Sequence, residues 1–218
     1  MTVNLPMSRI LDISPLVSPR LAVWPGDVPY ARRVALAIDE GANLDLSSIH
    51  TTVHLGAHAD APSHYAASGI GIAAVDLAPY VGPCQVVRVA VARGARILPG
   101  DVRVAITASR VLFHTGTYPD ADHFNEDFAS LSPELIHWLH DRGCVLVGID
   151  TPSVDPLQSK PLESHQALRA TGMRNLEGLV LDQVPEGSYL LIALPLKLEG
   201  ADASPVRAVL LEGDPTSL

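Results

Sequence analysis

The sequence predicts a mixed α/β domain, rich in strands and poor in helices, and three observations carry that reading. Short β-branched and aliphatic runs bounded by Gly, Pro or Asp recur along the chain, as buried strands do. Only two stretches have the start and stop signals of helices. Hydrophobic residues make up 47% and charged residues 18% of 218 residues, enough for a substantial core and too few charges for disorder. The eighteen prolines and sixteen glycines are spread out instead of gathering into a linker, and no internal repeat is visible. One domain over residues 1–218 is therefore expected.

In chain order, VWPGD (23–27) is turn chemistry. It holds Trp24, which either caps the core from its edge or forms a flat wall for an aromatic ligand. HLGAHADAPSHY (54–65) reads as the end of a strand running into a loop. GIGIAA, from Gly69, matches a dinucleotide fingerprint only loosely; it follows a loop and lacks a βαβ unit, so it reads as a turn. CQVVRVAV (84–91), RVLFHT (110–115), CVLVGID (144–150), YLLIALPLKL (189–198) and VRAVLLE (206–212) read as strands. SPELIHWLHDRG reads as a helix that Ser132 caps, Pro133 opens and Gly143 closes. SKPLESHQALRA reads as a second helix, entered at Ser159 with Pro161 in its first turn, and it carries His165.

A net charge of −9, with no run of Lys and Arg, argues against an electrostatic grip on nucleic acid or an anionic membrane. The first residues lack the charged start and apolar run of a secretory signal, and nowhere do eighteen apolar residues follow one another. A soluble, cytoplasmic protein is expected. Cys84 and Cys144 both lie in apolar runs and read as reduced core thiols.

The chemistry concentrates in residues 54–65, where His54, His58, Asp60 and His64 stand at offsets of four, two and four. Side chains of a strand alternate faces, so even offsets would set all four on one side. A helix would rotate Asp60 away from the first two, and Gly56 and Pro62 disfavour it. Burying these groups together without a cation would cost several kcal/mol, on the order usual for unpaired buried charge. A metal relieves that cost, since imidazole nitrogen and carboxylate oxygen are good zinc ligands. His54, His58 and Asp60 alone would give one zinc three ligands and an open position, the catalytic pattern. A second ion would need groups from elsewhere. His165 and Glu177 qualify, but spacing does not single them out from His123 or Asp150. His114 and His137 read as ordinary half-buried histidines. No G-x-S-x-G elbow and no catalytic cysteine signature supports a nucleophilic hydrolase.

HLGAHADAPSHY resembles the signature H-x-G-T-H-x-D-x-P-x-H of the cyclase family of metal-dependent hydrolases, with Ala57 where Thr is usual, a change that removes no ligand. VWPGD, GIDTPSVDP (148–156), LEGLVLDQVP (176–185) and ALPLKLEGADASPVRAVL (193–210) follow in the order found in the bacterial kynurenine formamidases of that family, so the resemblance covers almost the whole chain. It implies an α/β swivelling-type domain with a mixed, barrel-like β core and flanking helices, commonly a homodimer. It implies two zinc ions per chain, or manganese or another divalent ion. His54, His58 and Asp60 match ligands of one ion, Asp60 also bridging to a second, with His165 on the second and Glu177 touching both. His64 matches the acid/base residue and Trp24 a substrate-contacting aromatic.

The reaction so implied is hydrolysis of N-formyl-L-kynurenine to L-kynurenine and formate in tryptophan degradation, with a small aromatic formamide as substrate. The metal would supply hydroxide near neutral pH. Two rivals stand beside it: another amidase of the family, such as an isatin-hydrolase-like enzyme, and a non-catalytic metal-binding protein, which would not need His64.

Overall fold

A computed structural model describes residues 9–212; residues 1–8 and 213–218, the two ends of the expected 1–218 domain, lie outside the described residues. In chain order the elements are β1 (Ile10–Asp12), β2 (Ala31–Leu36), β3 (Leu46–His50), β4 (His58–Asp60), α1 (Pro62–Tyr65), β5 (Val81–Arg88), β6 (Arg96–Ile97), β7 (Arg110–His114), β8 (Ser130–Leu131), α2 (Pro133–His140), β9 (Leu146–Ile149), α3 (Glu163–Thr171), β10 (Arg174–Leu176), β11 (Gly187–Ile192), β12 (Ala203–Pro205) and β13 (Val209–Leu211).

Seven strands form one curled, half-barrel sheet in the order β1-β13-β11-β5-β7-β9-β10. The β5-β7-β9-β10 part is parallel and the rest antiparallel. Strand alternation feeds a core on each face. Val87, Val111, Phe113, Val147 and Ile149 face α2 and α3, which answer with Leu135, Ile136, Leu139 and Leu168. Cys84, Val86, Leu112, Leu146 and Leu191 face the other way and pack with Ala57, Ala59 and Ala61 around β4. Each fully buried Leu, Ile or Phe there contributes roughly 1.5–3 kcal/mol. Strands with both faces buried read as unbroken apolar runs, which is why they were legible. Cys84 and Cys144 are buried free thiols, as expected.

Three expectations need correction. The run from Tyr189 to Leu198 leaves the sheet after Ile192, because Pro195 has no N–H for a ladder. The second helix does not begin at Ser159: Leu162 takes a left-handed conformation (φ 52°), and the helix starts at Glu163. Ser159 Oγ instead accepts from Leu162 N–H and donates to Glu163. Residues 54–65 are not one strand running into a loop. Only His58–Asp60 is extended in a ladder, and Pro62 opens the one-turn α1, whose first position tolerates its missing N–H.

Candidate metal centre and active site

β4 is the centre of the site. It pairs with β12, Asp60 opposite Ala203, and through an isolated bridge with Glu177, His58 and Glu177 exchanging both backbone hydrogen bonds at 3.1 and 3.0 Å. That bridge brings two backbones so close that glycine is required beside it. Gly178 has φ 64°, and a Cβ on it would stand 2.2 Å from the Gly56 carbonyl oxygen. His58 and Asp60, two apart on β4, therefore share a face with Glu177. His54 arrives from the preceding loop and His165 from the buried side of α3.

The distances are those of one cluster. His58 Nε2 lies 3.3 Å from Glu177 and 3.6 Å from Asp60. His165 Nε2 lies 3.3 Å from Asp60 and 3.5 Å from Glu177. His54 Nδ1 lies 3.1 Å from Asp60 Oδ1. Behind the cluster, a second bond fixes each ring. His58 Nδ1–H donates to the Gly56 carbonyl at 2.8 Å, and His165 Nδ1–H donates to Asp155 at 2.8 Å, so Nε2 of both rings faces the carboxylates. Asp155 also accepts the backbone N–H groups of Ser164 and His165, so it caps α3 from outside the helix. Asn175 donates its side-chain amide to Asp60 at 2.7 Å and to Glu177 at 3.1 Å.

Electrostatics follow from this crowding. Burial would lower the pKa of His54, but the carboxylate of Asp60 3.1 Å away and that of Asp202 raise it to about 9. Burial would likewise lower His58 and His165, but the facing carboxylates outweigh it and both are raised. Burial would raise Asp60, yet the hydrogen bond from His165 and the imidazole of His54 beside it hold it well below the ordinary carboxylate range. Glu177 is lowered too: burial and the Asp60 charge push it up, and His165 and His58 outweigh them. Asp60 Oδ1, though buried, has no aligned hydrogen-bond donor even with His54 at 3.1 Å. An acceptor left open among imidazole nitrogens and a second carboxylate suits a divalent cation.

His64 lies in α1, two residues after Pro62. α1 folds it back, and a ring nitrogen of His64 lies within 4.8 Å of ligand atoms of Asp60 and His165. Above the cluster opens a cavity of about 640 Å³ that Trp24, His54, His58, His64, His165 and Glu177 help to line. Trp24 meets Phe124 and Phe128 edge-on, with ring centroids 5.7 and 6.2 Å away. Tyr118 and Phe124 extend that aromatic wall. His123 stays outside the cluster, paired with Asp120. Asp150 turns to Thr115 and Gly116.

The Cyclase family model matches residues 11–156, well over half of the chain. The chain belongs to the cyclase family. Within that family, kynurenine formamidases of Bordetella petrii and Bordetella pertussis are each 47% identical over 208 residues, 94% of this chain and 99% of theirs. Among solved structures, one described as a potential metal-dependent hydrolase with cyclase activity overlays with a TM-score of 0.81 at 29% identity, covering 95% of this chain and 99% of its own. Isatin hydrolase A from Labrenzia aggregata also gives 0.81, at 25% identity and 95% coverage of both. Cyclase-family membership agrees with the cluster, which holds every residue the signature pointed to. Ala57, at the departure from the signature, is buried in the core beside the site.

Sequence reasoning missed Asp155, Asn175, Asp202, Tyr118 and Phe124. For Asn175 a signal existed: Asn175 and Glu177 are two apart at a strand, hence on one face. The others touch the site only through folds of the chain.

Proposed function

We propose that this chain hydrolyses N-formyl-L-kynurenine to formate and L-kynurenine. The observation that carries the reading is the aromatic-walled cavity opening directly onto the histidine and carboxylate cluster. The kynurenine formamidases aligned over 94% of the chain support it. His54, His58 and Asp60 would hold one zinc ion, and Asp60, His165 and Glu177 a second. Zinc is favoured by the mixed nitrogen and oxygen donors. Bound there, divalent cations polarise a carbonyl oxygen and lower the pKa of water toward ~7.

The chain's own groups do the rest. Trp24, with Tyr118 and Phe124, offers faces and edges against which the aryl ring lies. Asp60 and Glu177 set the negative charge of the floor, and Asn175 keeps both carboxylates turned inward. His64 carries a proton to the departing aryl amine nitrogen, a contribution worth roughly 10²- to 10⁴-fold. The non-catalytic alternative gives no work to His64 or to the cavity.

We place the working protein in the cytoplasm as one domain over 1–218 and as a homodimer. Among the described residues no helix is long and apolar enough to cross a membrane. The dimer draws support from β2 and β3, a hairpin exposed along its whole length that carries Val34, Leu36, Leu46 and Ile49. A lone two-stranded hairpin is marginally stable in water, and a second copy would cover it.

The deciding assay offers N-formylkynurenine and isatin side by side to purified protein of measured metal content. Turnover of the formamide well ahead of isatin is expected. Preference for isatin would move the assignment to the other branch of the family, and turnover of neither would favour a binding role.

A further inference from the structure

Asp202 is absent from the expected ligand set, yet it touches two of the site's histidines. Its Oδ2 lies 3.0 Å from His54 Nε2 and 3.0 Å from His64 Nδ1. The backbone puts it there. β12 pairs with β4, and the Asp202 carbonyl accepts the Ala61 N–H at 2.8 Å, one position beyond Asp60. The two imidazoles that share the carboxylate are tilted against each other with centroids 4.3 Å apart. Among the described residues the Asp202 side chain has no other hydrogen-bond partner, and 46% of it is exposed, so packing gives it little reason to be acidic.

An ionised carboxylate only accepts, so the nitrogens that face Oδ2 carry the protons. His54 is then protonated at Nε2, which leaves Nδ1 turned to Asp60 Oδ1 and the cation position. His64 is protonated at Nδ1, which leaves Nε2 as its one nitrogen able to exchange a proton with a bound molecule. A carboxylate behind an imidazole fixes both tautomer and ring orientation.

We propose that Asp202 is a positioning residue whose single carboxylate oxygen holds His54 and His64 in register and presents Nε2 of His64 to the leaving amine. The proposal rests on the acid/base reading of His64. It assigns the Asp202 side chain a task that the fold does not require, since Asp202 meets β4 through its backbone carbonyl.

The test uses the zinc-loaded enzyme and the variants Asp202→Ala, Asp202→Asn, His64→Ala and the double variant His64→Ala/Asp202→Ala. Long-range ¹H–¹⁵N spectra of the histidine rings, recorded without substrate at alkaline pH, report the His64 tautomer. The Nδ1–H form is expected in the parent and its loss in Asp202→Ala. Metal per chain should stay at the parent level. With N-formylkynurenine, kcat should fall about 10- to 100-fold while KM changes by no more than about twofold. Asp202→Asn, whose amide oxygen still accepts, should recover part of the loss. On the His64→Ala background the second substitution should cost less than about twofold, because residues that act through one another are not additive.

Two results overturn the proposal: an unchanged tautomer in Asp202→Ala, with or without loss of metal, which would leave Asp202 a support of His54 and the cation alone, or an equal loss of kcat with and without His64. If the parent enzyme fails to turn over N-formylkynurenine, the substrate reading falls, while the tautomer spectra still decide the role of Asp202.

Discussion

Four side chains at the floor of the cavity, His58, Asp60, His165 and Glu177, are at most 4% exposed, and each has a further hydrogen-bond partner behind it. At the rim, His64 and Asp202 keep 30% and 46% of their side chains open to solvent. The floor is set by backbone: a strand bridge, a helix capped by Asp155, and two glycines where the chain passes itself. The rim is set by side chains reaching across. On the proposed reading floor residues serve the fold and the cation together, whereas changes at the rim should leave the fold whole. Substitutions should separate the two.

The largest effect is expected at the floor. Glu177→Ala removes a carboxylate that faces His58 and His165 and accepts the Val154 N–H at 2.9 Å. Breaking a buried pair from one side costs about 3–5 kcal/mol, so the variant should lose metal, activity and thermal stability at once. Elemental analysis and a melting curve on the same sample check this. Asp60→Asn should likewise weaken metal binding more than His64→Asn does. Chelation should abolish activity and zinc restore it, with close to two ions per chain in the active form. Full activity at one ion would end the binuclear reading and leave hydrolysis standing.

His64→Asn comes next and should show the rim's behaviour. A fall in kcat of about 10²- to 10⁴-fold, with metal content and melting temperature near the parent values, is the expected pattern. Loss of metal would move His64 to the floor as a ligand, a result its approach to Asp60 and His165 makes worth measuring.

A smaller effect is expected where the floor is only supported. Asp155 holds His165 Nδ1 and the first N–H groups of α3, so Asp155→Asn should weaken metal affinity by about 10- to 100-fold. Burial pushes its carboxyl up, but the bonds from His165 and Ser164 bring the pKa down to about 2, below the ordinary 3.8. A depressed carboxylate stabilises the fold fully above its unfolded pKa and loses that contribution as pH falls through the folded value. Acid unfolding of the metal-free protein between about pH 4 and 2 should thus be less steep in the variant. An unchanged acid limb would mean that Asp155 holds the helix by geometry alone.

The same contrast explains what the sequence could disclose. His54, His58 and Asp60 sit within seven residues, and their spacing pointed to a metal even though the strand behind it proved to be three residues long. His165 and Glu177 lie more than a hundred residues away from Asp60, and only the resemblance to the family selected them over His123 and Asp150. Asp202 and Asp155 were illegible because their partners are reached through a strand ladder and a tertiary helix cap, neither of which leaves a local pattern. The parallel strands β5, β7 and β9 were read well because burial on both faces writes a continuous apolar run, whereas β10, three residues that include Arg174 and Asn175, has no such run and was missed. β2 and β3 were missed too, since an exposed hairpin has no buried face to impose alternation.

Trp24 sharpens the comparison most finely, because it belongs to both regions. It lines the cavity and also meets Phe124 and the buried Phe128 edge-on. An aromatic pair is worth about 0.5–1.5 kcal/mol beyond the area it buries, so Trp24→Ala should lower stability modestly whatever its role in binding. The substrate term is separable by choice of substrate. If the aryl ring lies against Trp24, KM for N-formylkynurenine should rise about 3- to 10-fold, the equivalent of a lost aromatic contact. An aliphatic formamide should then show no such rise, and Trp24→Phe should restore most of the loss. Metal content should not move in either variant. A lower melting temperature with unchanged KM for both substrates would assign Trp24 to the core edge, and Tyr118 and Phe124 would be left as the wall.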